Sequence, residues 1–441
     1  MKVHGVFGNR FVLMPKAVGM AAALVGLAAA SSATWAADIT VWHSLNPHNA
    51  AAFEKLVKQF NRQSNDVSVR IESFDSPEAL DQKFIAAAKG KAPNLVQLDA
   101  RRSPDAHDGN ANVKPLHSLL AKPPLKDIKW FVHPENGFAR DDKGRLMAFP
   151  YMAEVPVMFY NIAAFQKAGL TPPRPERAWS DLQGQLVDLA NKATRYCPAT
   201  SDQAVSINLE NLAAVNNQFF TSSQNAKAKK NLPSFEFDTV YVRHLSLMIS
   251  WVRSELMVKP ELEGQAIQRF ANNECSVLLS ESGRLGSFRD VRSLDFGISG
   301  LPYYPQVTKK PGNPFVDGAA FWLTEGQTAD QEKAVAQFLA WLAQPENAAS
   351  WYQETGFLPL TEQAFAATGD SYYKNLGDWR NLVAVYNQKP AITASSFRIR
   401  NYPKIRAMFH ETLQRALSGE QSAPTALNTA STQATQIMRE K

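Results

Sequence analysis

The chain has 441 residues, 45% of them apolar and 20% charged, with a formal net charge of +6. Such a composition fits a soluble globular protein large enough for two or three domains and excludes a low-complexity or disordered chain. The positive excess is too small to predict a nucleic-acid partner.

The first segment reads as an export signal. Lys2, Arg10 and Lys16 make a positive start, Ala17 to Ala30 is apolar, and Thr34-Trp35-Ala36 places small residues at a cleavage site. This predicts a signal peptide over residues 1–36, cut between Ala36 and Ala37, because the apolar stretch is shorter than the roughly twenty residues of a membrane anchor. No cysteine stands at the cleavage site, so no lipid attachment to a new N-terminus is expected. Cleavage removes three positive charges and no negative one. No later stretch approaches about eighteen apolar residues, so the mature chain is expected to insert into no membrane and to work in the periplasm.

Asp38 to Trp42 is β-prone and His43 to Pro47 reads as a loop. Phe53, Leu56, Val57 and Phe60 mark a helix over 50–61. Val67 to Ile71 alternates like a strand, 78–90 is helical with Gly90 as a cap, and Asn94 to Leu98 is a strand closing on Asp99. This βαβαβ rhythm predicts a parallel, doubly wound α/β sheet. Met147 to Tyr160 reads as extended, punctuated by Pro150 and Pro156, and Ile162 to Ala168 as a helix. Residues from Trp179 to about Arg269 read as mainly helical, with Ala226 to Lys230 a solvated turn. Cys275 to Leu279, Phe296 to Pro302 and Gly318 to Thr324 are strand candidates. Gln331 to Ala343 and Tyr402 to about Ala416 are helical, with one more helix at the end.

Two cysteines occur, Cys197 and Cys275. In an oxidising compartment an even pair predicts a disulfide more readily than a metal site. The chain holds no GxSxG, Walker loop, HExxH or CxxC, and its eight histidines do not pair at helical spacing. No catalytic residue, metal or cofactor is therefore predicted. The nine tryptophans are the more informative signal, since aromatic faces cover the apolar side of sugars and polyols. Most tryptophans nevertheless fill cores.

The stretch from Phe338 to Pro359 fits the pattern FLxxLxxPENAAxWxxxTGxLP. It resembles the family 1 extracellular solute-binding proteins, and in particular their glycerol-3-phosphate-binding branch. The similarity extends over Val41 to Ser44, Pro156 to Asn161, Phe165 to Leu170, Leu209 to Asn211 and Arg398 to Arg406. Both cysteines fall where that branch has them. The resemblance implies a periplasmic binding protein-like fold of two doubly wound α/β lobes joined by a hinge of crossing strands. It divides the mature chain into 37–152 with 314–358 and 153–313 with 359–441. It implies a monomer that closes on a small-molecule ligand and delivers it to the transmembrane subunits of an ABC permease.

Ligands of parallel sheets sit at the carboxyl ends of strands. Together with the resemblance, that rule places Trp42, Ser76, Asp99, Glu154, Glu281, Ser282, Gly318, Phe357, Arg398 and Arg406 around one cleft. Gly318, Arg398 and Arg406 match ligand-contacting positions of the branch. Ser76, Ala100, Glu154, Glu281 and Phe357 depart from it, and Ser206 stands where a tryptophan is expected. Glu154 and Glu281 suit hydroxyl donors or a cation better than a phosphate, which two carboxylates would repel. The expected ligand is thus glycerol 3-phosphate, a glycerophosphodiester or a related polyol, with a neutral sugar as the alternative. A secreted carbohydrate hydrolase using Glu154 and Glu281 is a remote third reading, and it requires the carboxyls to be about 5–10 Å apart in one cleft.

Overall fold

The computed structural model describes residues 37–87, 91–99, 112–222, 232–260, 264–395, 397 and 399–440. The expected signal peptide, Gly90, Ala100, the turn at 226–230 and Arg398 lie outside the described residues.

Two sheets organise the chain. The first holds β1 (Ala37–His43), β2 (Val67–Ser73), β3 (Leu95–Asp99), β4 (Val113–Lys114), β5 (Phe149–Glu154) and the late strand β10 (Asp317–Thr324). Its order is β2-β1-β3-β10-β4, with β5 also paired to β10. The second holds β6 (Pro156–Asn161), β7 (Ala199–Ser201), β8 (Val277–Glu281) and β9 (Phe296–Ser299), in the order β7-β8-β6-β9. The chain passes from one sheet to the other at residues 154–156 and again at 299–317.

The βαβαβ rhythm yields the expected parallel pairing of β1 with β2 and β3. The sheets as wholes are mixed. β10 runs antiparallel to β3, β4 and β5, and β6 runs antiparallel to β8 and β9. The reason is topological: β10 enters the first sheet from the second sheet's side, without the crossover helix that a parallel neighbour needs.

The longer helices are α1 (Pro47–Gln63), α2 (Pro77–Ala86), α3 (Trp179–Lys192), α4 (Thr239–Arg253), α5 (Ala329–Leu342), α6 (Pro345–Thr355), α7 (Tyr402–Leu417) and α8 (Ala423–Arg439). Among the described residues no helix is long and apolar enough to cross a membrane. α1 starts where Pro47 pre-sets the first turn and the Asn46 side chain accepts from the Asn49 amide. Its Phe53, Leu56, Val57 and Phe60 face the first sheet, where Phe338 and Leu339 of α5 join them. Trp351 of α6 stacks on Tyr151 of β5 at 4.5 Å and 7°, and its indole donates to the Tyr151 carbonyl at 2.8 Å. That tryptophan belongs to the core, and so do the buried Trp179, Trp251, Trp322 and Trp379.

The central stretch expected to be mainly helical contains two surprises. β7 is a strand of three residues paired parallel to β8, too short to alternate visibly. Residues Ser206–Glu210 form a π-helical turn, all of it buried. The expected disulfide is present: Cys197 and Cys275, at the starts of the β7 and β8 arms, are bonded with their Cα atoms 4.6 Å apart.

Among the described residues, His43 and His244 are buried and neutral. Burial lowers His43 in β1 to about 4 and His244 in α4 to about 3. His244 sits between the Tyr304 hydroxyl and the Asn208 amide oxygen, each at 3.0 Å. The unfolded chain takes up both protons near pH 6.5, whereas the native chain resists until about pH 4 and pH 3. Stability is therefore full above pH 6.5 and falls as the pH drops toward 4. Urea denaturation at pH 7, 5.5 and 4 should show this decline, and His43→Asn and His244→Gln should each remove part of its slope. An unchanged slope in both variants would contradict the assignment.

Candidate functional site

The described residues outline two cavities of about 660 Å³ each between the sheets, which share Pro77, Asp81 and Asp99. The first is bounded by the β1–α1 loop (Ser44 to Asn46), the end of β2 (Ser73 to Asp75), Gln97, the end of β5 and start of β10, Gly283-Arg284 and Phe357. The second runs from Glu78, Asp81 and Asp99 to residues 202–205 and the first turns of α7.

Each boundary has a local cause. The Gln97 amide oxygen accepts from the Ser44 amide at 3.1 Å and holds the β1–α1 loop against β3. Asn49, fully buried, donates to the Gly283 carbonyl at 3.0 Å and so joins α1 to the turn after β8. The Glu154 carboxylate, at the end of β5, accepts from the Gly283 amide at 3.2 Å. A Cβ at Gly283 would stand 2.4 Å from that carboxylate and 2.7 Å from the Phe357 ring, so only glycine lets these three meet. Phe357 stacks on Trp351 at 5.6 Å and is fixed from behind by the core.

The expected site residues distribute unevenly. Asp99, Glu154, Gly318 and Phe357 all line the first cavity, and Arg406 and Asp99 line the second. Trp42 lines neither. It is buried behind the wall and packs on Phe74 at 5.3 Å, and Phe74 is the ring that faces the first cavity. The Ser76 hydroxyl caps α2 by accepting from the Ala79 amide at 3.1 Å, while its neighbours Asp75 and Pro77 line the cavity. Ser282 is fully buried on the crossing between the sheets, its hydroxyl accepting from the Val155 amide at 3.3 Å and its own amide donating to the Val155 carbonyl. Glu281 pairs with Pro156 in the sheet register and accepts from the Ser206 hydroxyl at 3.2 Å, off the lining of both cavities. Arg398 lies outside the described residues.

Phe74, Asp75, Asp81 and His410 were not expected at the cleft. Phe74 and Asp75 follow the last residue of β2, so the rule that ligands gather at the carboxyl ends of strands would have found them. Asp81 and His410 had no such signal; they come in on helices α2 and α7. His410 stands four residues after Arg406, and burial together with that guanidinium lowers its pKa.

The described lining of the first cavity carries Asp75, Asp81, Asp99 and Glu154 against Arg284. The second carries Glu78, Asp81, Asp99, Asp202 and Glu411 against Arg406. Arg101 and Arg102 follow Asp99 in the chain, outside the described residues. An arrangement of carboxylates, amide side chains and two ring faces can accept from several hydroxyls while covering an apolar face.

Residues 55–376 match the bacterial extracellular solute-binding proteins, and the chain belongs to that family. It is similar to the sn-glycerol-3-phosphate-binding periplasmic protein UgpB of Escherichia coli K12, at 28% identity over 94% of this chain and 95% of the relative. Among solved structures, UgpB of Mycobacterium tuberculosis in complex with glycerophosphocholine superposes with a TM-score of 0.71, at 18% identity, over 91% of this chain and 99% of that one. The GacH receptor of Streptomyces glaucescens, determined unliganded and with acarbose, does so with a TM-score of 0.72, at 15% identity, over 92% and 99%. Proteins of this family are solute-binding components of ABC transporters, found outside the cytoplasmic membrane, that take small ligands and work with permeases.

Proposed function

We propose that this solute-binding protein captures glycerol 3-phosphate, a glycerophosphodiester or a related polyol in the cleft between its sheets and delivers it to the transmembrane subunits of an ABC permease. The observation that carries the reading is the pair of joined cavities, with rings at Phe74 and Phe357 on one side and the guanidinium of Arg406 on the other. Carboxylates at Asp99, Asp81 and Glu154 between them accept hydroxyl hydrogens. Two lobes, 37–152 with 314–358 and 153–313 with 359–441, close over the solute about the crossings near Val155 and between β9 and β10. A ligand that touches both lobes favours the closed state by its difference in affinity for the two states. No bond is made or broken. Residues 1–36 direct export and are removed, so the working chain starts at Ala37 in the periplasm, as a monomer.

Titration of intrinsic fluorescence with sn-glycerol 3-phosphate, glycerophosphocholine, glycerol and maltose tests the reading. Saturable quenching or enhancement by at least one phosphate-bearing polyol is expected, and Arg406→Ala should weaken that ligand at least tenfold while sparing a neutral one. The excess of carboxylates in the described lining favours a second reading, a neutral sugar, which a response to maltose alone would select. No response to any of these solutes would overturn both.

A further inference from the structure

The π-helical turn Ser206–Glu210 is polar at both ends, although it is buried throughout. At one end Ser206 donates to Glu281, and its hydroxyl accepts from the Asn211 side chain at 3.0 Å. At the other end Glu210 is 2% exposed, and one of its carboxylate oxygens accepts both from the Tyr402 hydroxyl and from Arg406 Nε, the latter at 3.1 Å. Tyr402 and Arg406 are one turn apart at the start of α7, so a single carboxylate holds two successive turns of that helix. The Arg406 side chain is 25% exposed and lines the second cavity.

The choice of atom matters. A guanidinium on its long stem would otherwise sample many rotamers, and ordering it at the moment of binding would cost affinity. Anchoring Nε sets the plane of the group and leaves the donors of the two terminal nitrogens for a solute. π-helical turns are uncommon and concentrate at functional sites, because the widened turn re-aims side chains. Here the widened turn ends on Glu210 itself.

We infer that Glu210 is a positioning residue for solute binding: it locks Arg406 through Nε so that the terminal nitrogens present a preformed fork to an anionic group in the second cavity. This rests on the reading of the cleft as the site of a phosphate-bearing polyol. It runs against simple Coulombic expectation, in which removing a carboxylate beside an anion site strengthens anion binding.

Calorimetric titration of the full mature chain with sn-glycerol 3-phosphate and with glycerol tests it, in wild type and in Glu210→Gln, Glu210→Asp, Arg406→Ala and the double variant Glu210→Gln/Arg406→Ala. The expected result is at least a tenfold weaker affinity of Glu210→Gln for sn-glycerol 3-phosphate, with glycerol unaffected. The double variant should be no weaker than Arg406→Ala, and Glu210→Asp should regain part of the loss. Equal or tighter phosphate binding by Glu210→Gln would overturn the inference, as would effects that simply add in the double variant. A wild type that binds neutral solutes but not the phosphate would also overturn it, leaving the transport role in place. A wild type that gives no heat with any solute would instead overturn the proposed ligand, and the inference with it.

Discussion

Breaking the Cys197–Cys275 bond is expected to lower the unfolding free energy by roughly 4–5 kcal/mol, through the larger conformational freedom of the unfolded chain once the cross-link is removed. The bond closes a span of 78 residues, which includes β7, the π-helical turn and α4. It joins the arms that lead into β7 and β8, which pair over only three residues. A ladder so short contributes little by itself, and Cys197 and Cys275 are both buried beneath it. The loss should therefore appear first in the second sheet. Urea denaturation of the Cys197→Ala/Cys275→Ala variant, or of wild type with reductant, should show a midpoint shifted well down. Protease cutting should concentrate between residues 197 and 275. An unchanged midpoint would remove the disulfide from the account of stability.

Gly318→Ala is expected to damage both stability and binding. Gly318 has φ +103, a conformation that side chains avoid, at a cost on the order of 1–3 kcal/mol. A Cβ there would stand 2.2 Å from the Met152 carbonyl and 3.0 Å from Glu154 Cγ. The first neighbour is backbone and cannot rotate away, so β5 and β10 must part where Gly318 pairs with Ala153. Overpacking of that kind adds about 1–3 kcal/mol. The movement carries Glu154 with it and so disturbs its bond to the Gly283 amide, which closes one side of the first cavity. A loss of about 3 kcal/mol in unfolding free energy, and at least tenfold in solute affinity, is the expected outcome by denaturation and calorimetry. Wild-type affinity in this variant would show that the β5–β10 edge does not shape the site.

Much of the first sheet was legible because its signals are local. Phe53, Leu56, Val57 and Phe60 repeat at helical spacing and Val67 to Ile71 alternates, although the helix itself begins at Pro47, inside the stretch read as a loop. β8 was found but set two residues early, and the difference carries Glu281 into the strand. β7 and the π-helical turn were not legible, since three residues show no period and a π turn differs from an α turn by one shifted hydrogen bond.

The site divides along the same line. Asp99 and Glu154 end β3 and β5, Gly318 lies at the start of β10 beside them and Phe357 just beyond α6, all at the edge of the first sheet that lines the cleft. Which ring forms the wall was a different matter. Trp42 lies near the end of β1 and Phe74 just beyond the neighbouring β2, and only their packing at 5.3 Å decides that the smaller one faces the cavity. By itself the sequence determined the family, the strand–helix rhythm of the first sheet and the disulfide pair, because each is written in nearby residues or in an ordered set of motifs. The tertiary structure alone decided the mixed direction of both sheets, the burial of Ser282, the withdrawal of Glu281 from the cavities toward Ser206 and the capture of Arg406 by Glu210. Those outcomes depend on partners between 75 and 196 positions away in the chain, and no local pattern encodes a contact at that distance.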